Sequence, residues 1–231
     1  RVALETVLHF PVRGRNLVRV QADLLAAHTL RVRNVFVTMG DPTRIGDYPQ
    51  ASDAHDIVPT GLIQLIKDKF NQGMDAAGSS IGEPCAFLVG CAMNLTPSDM
   101  EKEAVLLRKK VECGADFALT QPVFDASLAR RFLKYYEERF GPLKLPIFAG
   151  ALLLASVRHA EVMKNEVPGL YLPDSVVERM ASVGSKTRTE GARIASELVE
   201  ELRDVIQGVY IIPTFGRYDF AARVIESARA R

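Results

Sequence analysis

Short apolar runs that end in one polar residue, turn at a Gly or Pro and lead into an amphipathic helical segment recur along this chain, and few architectures accept that repeat. Val35-Phe36-Val37-Thr38-Met39 runs into Gly40-Asp41-Pro42, and Phe117-Ala118-Leu119-Thr120 into Gln121-Pro122. Val209-Tyr210-Ile211-Ile212 passes through Pro213-Thr214-Phe215-Gly216 to Arg217, and near the start Thr6-Val7-Leu8 runs into His9. Between the runs, apolar residues fall at spacings of three and four, as at Leu17, Val20, Leu24 and Ala27 behind Asn16, a residue suited to cap a helix. Alternation of strand and helix predicts a parallel sheet covered by helices. In a barrel of parallel strands, the strand ends and the loops after them build the active face, which marks these lone polar residues as candidates for chemistry.

Further elements follow the same rules. A polar loop spans residues 43–56, and a helix carries Leu62, Ile63, Leu65, Ile66 and Phe70. After a second loop at 71–83, Cys85-Ala86-Phe87-Leu88-Val89 reads as a strand. Thr96-Pro97-Ser98-Asp99 predicts a helix capped by Thr96, with Pro97 at the first helical position. Asp125 and Ser156 are suited to cap the next helices, Pro146-Ile147-Phe148-Ala149 reads as a strand, and helices are expected over 174–183, 189–206 and from Asp219.

This makes six βα units. A doubly wound nucleotide fold would carry a Gly-rich fingerprint after its first strand, and Gly40-Asp41-Pro42 offers an acid and a proline instead. The expected fold is therefore α/β, a (β/α)8 TIM barrel read as one domain over 1–231. Such a barrel needs eight strands and usually about 250 residues, and this chain of 231 begins with Arg1. The first two βα units are expected to lie upstream of it.

A net charge of +1 supplies no field for nucleic acid. No apolar stretch approaches the length of a membrane span, so neither nucleic acid nor membrane is an expected partner. Cys85, Cys91 and Cys113 lack metal-ligand spacing and read as free thiols of a reducing, cytoplasmic compartment; no metal is expected.

Each polar candidate also has a structural reading. Asp41 serves equally well as a turn cap. Gln121 offers a donor and an acceptor to one flat ligand. His9 suits a hydrogen-bonded core position, Asn94 a turn, Tyr48 loop packing, Lys109 and Lys110 a solvated helix face, and Arg217 the surface.

Five segments together resemble the methylenetetrahydrofolate reductase family. They are Thr38-Met39-Gly40-Asp41-Pro42 with Gly46-Asp47-Tyr48-Pro49; Gly90-Cys91-Ala92-Met93-Asn94; Ala115 through Thr120-Gln121-Pro122-Val123-Phe124-Asp125; and Phe215-Gly216-Arg217-Tyr218-Asp219. The resemblance is closest to the bacterial branch in which the reductase follows a homocysteine methyltransferase domain, so a fused N-terminal domain of that kind is an expected partner. What it implies is an FAD-containing barrel that reduces 5,10-methylenetetrahydrofolate to 5-methyltetrahydrofolate with NAD(P)H, in one-carbon and methionine metabolism, as a homo-oligomer.

By the same resemblance, His9, Met39, Gly40, Asp41, Tyr48, Gly90, Asn94, Glu103, Lys109 and Lys110 fall where the family holds FAD, with Lys110 at its pyrophosphate. Asp41 and Gln121 take the catalytic positions, and Asp41, Gln121 and Arg217 the substrate-side positions. The family's general acid, a glutamate on the first barrel strand, is expected upstream of Arg1, so the 231 residues alone are expected to be inactive. Gly14 and Leu152-Leu153-Leu154 depart from the pattern, which usually has an acidic residue at the first and a proline at the second. The alternatives are another flavin barrel, such as a proline dehydrogenase-like enzyme, and a non-catalytic folate- or flavin-binding barrel.

Overall fold

A computed structural model describes residues 4–229. The chain divides into two compact units, Arg1–Ala92 with Leu106–Ala118 and Met93–Val105 with Leu119–Arg231. Strands and helices alternate through both, giving the (β/α)-barrel architecture that the sequence predicts, with six strands among the described residues.

In the first unit, β1 (Val7–Pro11), β2 (Asn34–Thr38) and β3 (Leu88–Met93, as far as Ala92) pair in parallel, with His9 opposite Phe36 and Phe36 opposite Gly90. Val35, Phe36 and Val37 are all buried, the signature of a parallel strand covered on both faces. Two helices supply cover: α1 (Leu17–Thr29) buries Val20, Leu24 and Ala27, and α2 (Pro59–Asp68) buries Leu62, Ile63 and Ile66. Asn16 caps α1 by accepting the Arg19 amide at 2.8 Å, as expected.

Two strand readings need correction. β1 runs on to Pro11, so His9 stands in mid-strand rather than at the end. β3 begins at Leu88, because the Asn71 side chain takes both backbone groups of Phe87, at 2.9 and 3.0 Å, and withdraws them from the ladder. Gly90 and Cys91 are therefore strand residues.

α3 (Met100–Glu112) also starts later than expected. Thr96 caps nothing: its amide donates to Asn94 Oδ1 at 2.9 Å, and Asp99 caps the helix through the Lys102 amide at 2.9 Å.

The second unit holds β4 (Phe117–Pro122, from Leu119 onward), β5 (Ile147–Leu152) and β6 (Gly208–Ile212). β5 and β6 are parallel, with Gly150 opposite Tyr210. Asp125 caps α4 (Ala126–Phe140) and Ser156 caps α5 (Val157–Glu166), both as expected. α6 (Asp174–Ser182), α7 (Thr187–Leu202) and α8 (Tyr218–Arg229) complete the unit.

Successive residues at the end of β5 point to opposite sides, as a strand requires. Leu152 and Leu154 enter a core with Leu172, Val176 and Met180; Ala151 and Leu153 enter another with Ala195, Val199 and Val224. This is why Leu152-Leu153-Leu154 works without a proline: Leu153 and Leu154 are 4% and 1% exposed and act as core residues.

Candidate active site

In the first unit the loop after β2 is shaped by four contacts. Gly40 has a φ of +84°, and a Cβ there would come within 2.9 Å of the Pro11 Cβ, so the ends of β1 and β2 approach closely only because this residue is glycine. Arg13 Nε donates to the Gly40 carbonyl at 2.9 Å, and its Nη1 meets Asp53 at 3.2 Å. Asp53 Oδ1 accepts the Thr43 amide at 2.9 Å. That hydrogen bond, reinforced by Arg13, holds the Asp53 carboxyl below the usual carboxylate range. Gly14, in the same neighbourhood, adopts a φ of +70° with its Cα side against the Ser52 carbonyl, which gives the unusual glycine a conformational reason.

Asp41 is exposed just past the end of β2, and its carboxylate has no partner among the described residues. The turn it could have capped is capped by Asp53. Met39 contributes its carbonyl to the Arg13 amide at 3.0 Å. Tyr48 is 71% exposed on the 43–56 loop. His9 is exposed on β1 and meets the Phe36 ring edge-on at 4.9 Å. Gly90 leaves room for Phe117, whose ring would stand 2.4 Å from an added Cβ.

The two adjacent lysines of α3 part company. Lys109 is exposed, whereas Lys110 is 7% exposed and sends Nζ to the Ala92 carbonyl at 2.6 Å. Among the described residues no carboxylate pairs with Lys110. An ammonium carries three donors and is costly to bury without an anion. This donor set, at the end of β3, fits a phosphate-bearing ligand.

In the second unit, Asn94 and Glu103 are brought together. Glu103 Oε1 accepts the Asn94 amide at 2.9 Å, while the Asn94 side chain donates to the Gly169 carbonyl at 2.9 Å. Gln121 lies at the end of β4, exposed, with its side-chain amide uncommitted among the described residues.

A network that the sequence reading missed holds the strand beneath Gln121. Thr120 Oγ1 donates to the Gln121 carbonyl at 2.6 Å and accepts the Gly150 amide at 2.9 Å, and the Tyr210 hydroxyl donates to the Thr120 carbonyl. Gly150 leaves the room this needs, since a Cβ there would stand 2.8 Å from the Tyr210 hydroxyl oxygen. Burial pushes the Tyr210 phenol up to about 12. Period-two alternation would have flagged Tyr210 as inward-facing, but not its partner.

Arg217 follows β6 and is joined to Asp219 through Nε at 2.9 Å and Nη2 at 2.7 Å. Two residues before it, Phe215 holds a left-handed conformation (φ 53°, ψ 35°) and is 74% exposed, with its ring edge-on to His159 at 5.6 Å. Strain of this kind in an exposed aromatic is characteristic of ligand-binding positions. His159 Nδ1 accepts the Ala155 amide at 3.2 Å, and burial lowers its pKa.

No group of three His, Cys, Asp or Glu side chains among the described residues could hold a metal ion, and no helix among them is long and apolar enough to cross a membrane.

A model of the methylenetetrahydrofolate reductase family matches residues 1–226. Methylenetetrahydrofolate reductase 1 of Schizosaccharomyces pombe is 23% identical over 202 residues, covering 86% of this chain and 31% of that protein. Methylenetetrahydrofolate reductase (NADH) 1 of Arabidopsis thaliana is 22% identical over 209 residues, covering 87% and 34%. The chain thus spans about a third of the length of the curated relatives it matches. Among solved structures, an uncharacterized protein from Clostridium thermocellum that binds two copies of 5-methyl-5,6,7,8-tetrahydrofolic acid superposes with a TM-score of 0.51. Its sequence is 14% identical, and the match covers 97% of this chain and 93% of that one. At that identity the likeness is one of fold.

Proposed function

This chain belongs to the methylenetetrahydrofolate reductase family, and on that premise we propose that it reduces 5,10-methylenetetrahydrofolate to 5-methyltetrahydrofolate, with FAD as cofactor and NAD(P)H as electron donor. The observation that carries this reading is the state of Asp41 and Gln121. Both stand at strand ends, and neither side chain is spent on the fold.

The chemistry supplied by bound FAD is hydride transfer from the nicotinamide to the methylene carbon of the folate. Asp41 places a negative charge where the substrate becomes a cationic iminium, and so favours that reactive form. The Gln121 amide binds the pterin in one half-reaction and the nicotinamide carboxamide in the other, since an amide donates and accepts from one plane. Arg217 holds a carboxylate of the glutamyl tail, using the Nη1 side that Asp219 leaves open.

Lys110, buried without a paired carboxylate, would hold the FAD diphosphate. On the family resemblance, His9, Met39, Gly40, Tyr48, Gly90, Asn94, Glu103 and Lys109 would provide the remaining contacts. The bound protein of Clostridium thermocellum supports a folate as ligand for this fold.

The test is anaerobic turnover of 5,10-methylenetetrahydrofolate by the full protein that carries this chain, supplied with FAD and with NADH or NADPH. Appearance of 5-methyltetrahydrofolate by mass spectrometry is expected. A protein that quenches no flavin fluorescence and forms no product would refute the assignment.

A further inference from the structure

A small, partly open cleft in the second unit lies between the segments that follow β5 and β6. Its lining joins the buried Leu153 and Leu154 with two arginines, Arg188 and Arg217. Arg188 comes from the first turn of α7, and two contacts bring it there. Thr187 Oγ1 donates to the Ala155 carbonyl at 2.9 Å. One turn later, Gly191 lets the helix lie against the strand end: a Cβ at that position would stand 2.0 Å from the Leu154 carbonyl oxygen.

The two arginines are in different electrostatic states. Arg217 is paired with Asp219 through Nε and Nη2. Arg188 has no hydrogen-bond or ion-pair partner among the described residues, and no acidic side chain lines the cleft. A guanidinium is a planar fork of donors that matches a carboxylate.

We propose that Arg188 is a second anchor for the acidic tail of the folate, acting with Arg217 across the mouth of the cleft so that the two arginines each meet one carboxylate of the glutamyl chain. This deepens the folate reading and rests on it. Arg217, half satisfied by Asp219, fixes one carboxylate, and Arg188 takes the next. The cleft therefore distinguishes glutamylated folates from the same pterin without its tail.

The experiment measures binding of 5-methyltetrahydrofolate, its triglutamyl form and tail-less 5-methyltetrahydropteroate to the full chain and to Arg188→Ala and Arg188→Lys, by calorimetric titration. For Arg188→Ala the expected result is about a tenfold loss for the triglutamyl ligand, the equivalent of ~1.4 kcal/mol, with the tail-less ligand bound as by the unmodified chain. Arg188→Lys, which keeps the charge and loses the fork, should recover part of the loss. Equal losses for glutamylated and tail-less ligands would mean a structural role, and no loss for either would mean no contact; both results overturn the proposal while leaving the folate reading intact. Failure of the unmodified chain to bind any of the three ligands would overturn the folate reading, and this proposal with it.

Discussion

The Thr43 amide donates to Asp53 Oδ1 at 2.9 Å, ten residues along the chain, and this single bond decides what Asp41 is free to do. Two aspartates serve the same loop, and the distant one does the capping. Asp41, next to the turn, keeps an uncommitted carboxylate. Replacing Asp41 by Asn should therefore leave the melting temperature unchanged. It should slow folate reduction by ten- to a hundredfold, roughly 1.4–2.7 kcal/mol of barrier, while sparing reduction of the flavin by NAD(P)H. Stopped-flow measurement of the two half-reactions checks this, and equal slowing of both would remove the charge argument.

Asp53 should behave in the opposite way. Its carboxyl lies below the ordinary range because the Thr43 amide and Arg13 favour its charged form. A lowered folded-state value means that the unfolded chain binds the proton more readily. The stabilisation is thus complete above the ordinary carboxylate value, and it is lost as pH falls from there through the lowered one. Asp53→Ala should loosen the 43–56 loop at neutral pH, and the unmodified protein should loosen it only in acid. Limited proteolysis of that loop against pH would show both.

Lys110→Met should weaken FAD binding tenfold or more while leaving the stability of the FAD-free protein equal or higher, because a buried cation without an anion is exchanged for an apolar side chain of similar length. Lys109→Met, at an exposed position, should change affinity far less. Flavin fluorescence titration with thermal melts separates the two lysines; identical behaviour would place the diphosphate elsewhere.

Gly191→Ala should destabilise the second unit. The added methyl group would meet the Leu154 backbone, which cannot rotate away as a side chain can. Overpacking of this kind costs about 1–3 kcal/mol, read as a lower melting temperature. A melt indistinguishable from that of the unmodified protein would show that α7 does not rest on Leu154 this closely.

Tyr210, with its phenol pushed up to about 12, should remain neutral in the folded protein where an exposed tyrosine ionises. A raised folded-state value means stabilisation present below pH 10 and lost as pH rises from there through about 12. Tyr210→Phe should flatten that alkaline limb in a series of denaturation midpoints, while costing about 1 kcal/mol at neutral pH for the bond to Thr120.

Much of the fold was legible because much of it is local. Asn16, Asp125 and Ser156 each cap the helix expected of them, through a bond to an amide three residues ahead. Where a competing partner came from farther away, the reading shifted. Asn71 reaches sixteen residues to claim Phe87 and delays β3, and Asn94 draws Thr96 out of the cap that α3 then takes from Asp99. Neither competition leaves a signature in spacing or composition.

The sequence by itself determined the alternation of strand and helix, most helix starts, and the placing of Asp41 and Gln121 at strand ends, because periodicity and capping act over a few residues. The tertiary structure alone decided which polar groups are already spent. It gave the Thr43 amide to Asp53 rather than Asp41, buried Lys110 but not Lys109, and carried Arg188 to the cleft beside Arg217. The reason is physical: a hydrogen bond or an ion pair is settled by whichever partner arrives within about 3 Å, and residues far apart in the chain arrive there only when the chain has folded.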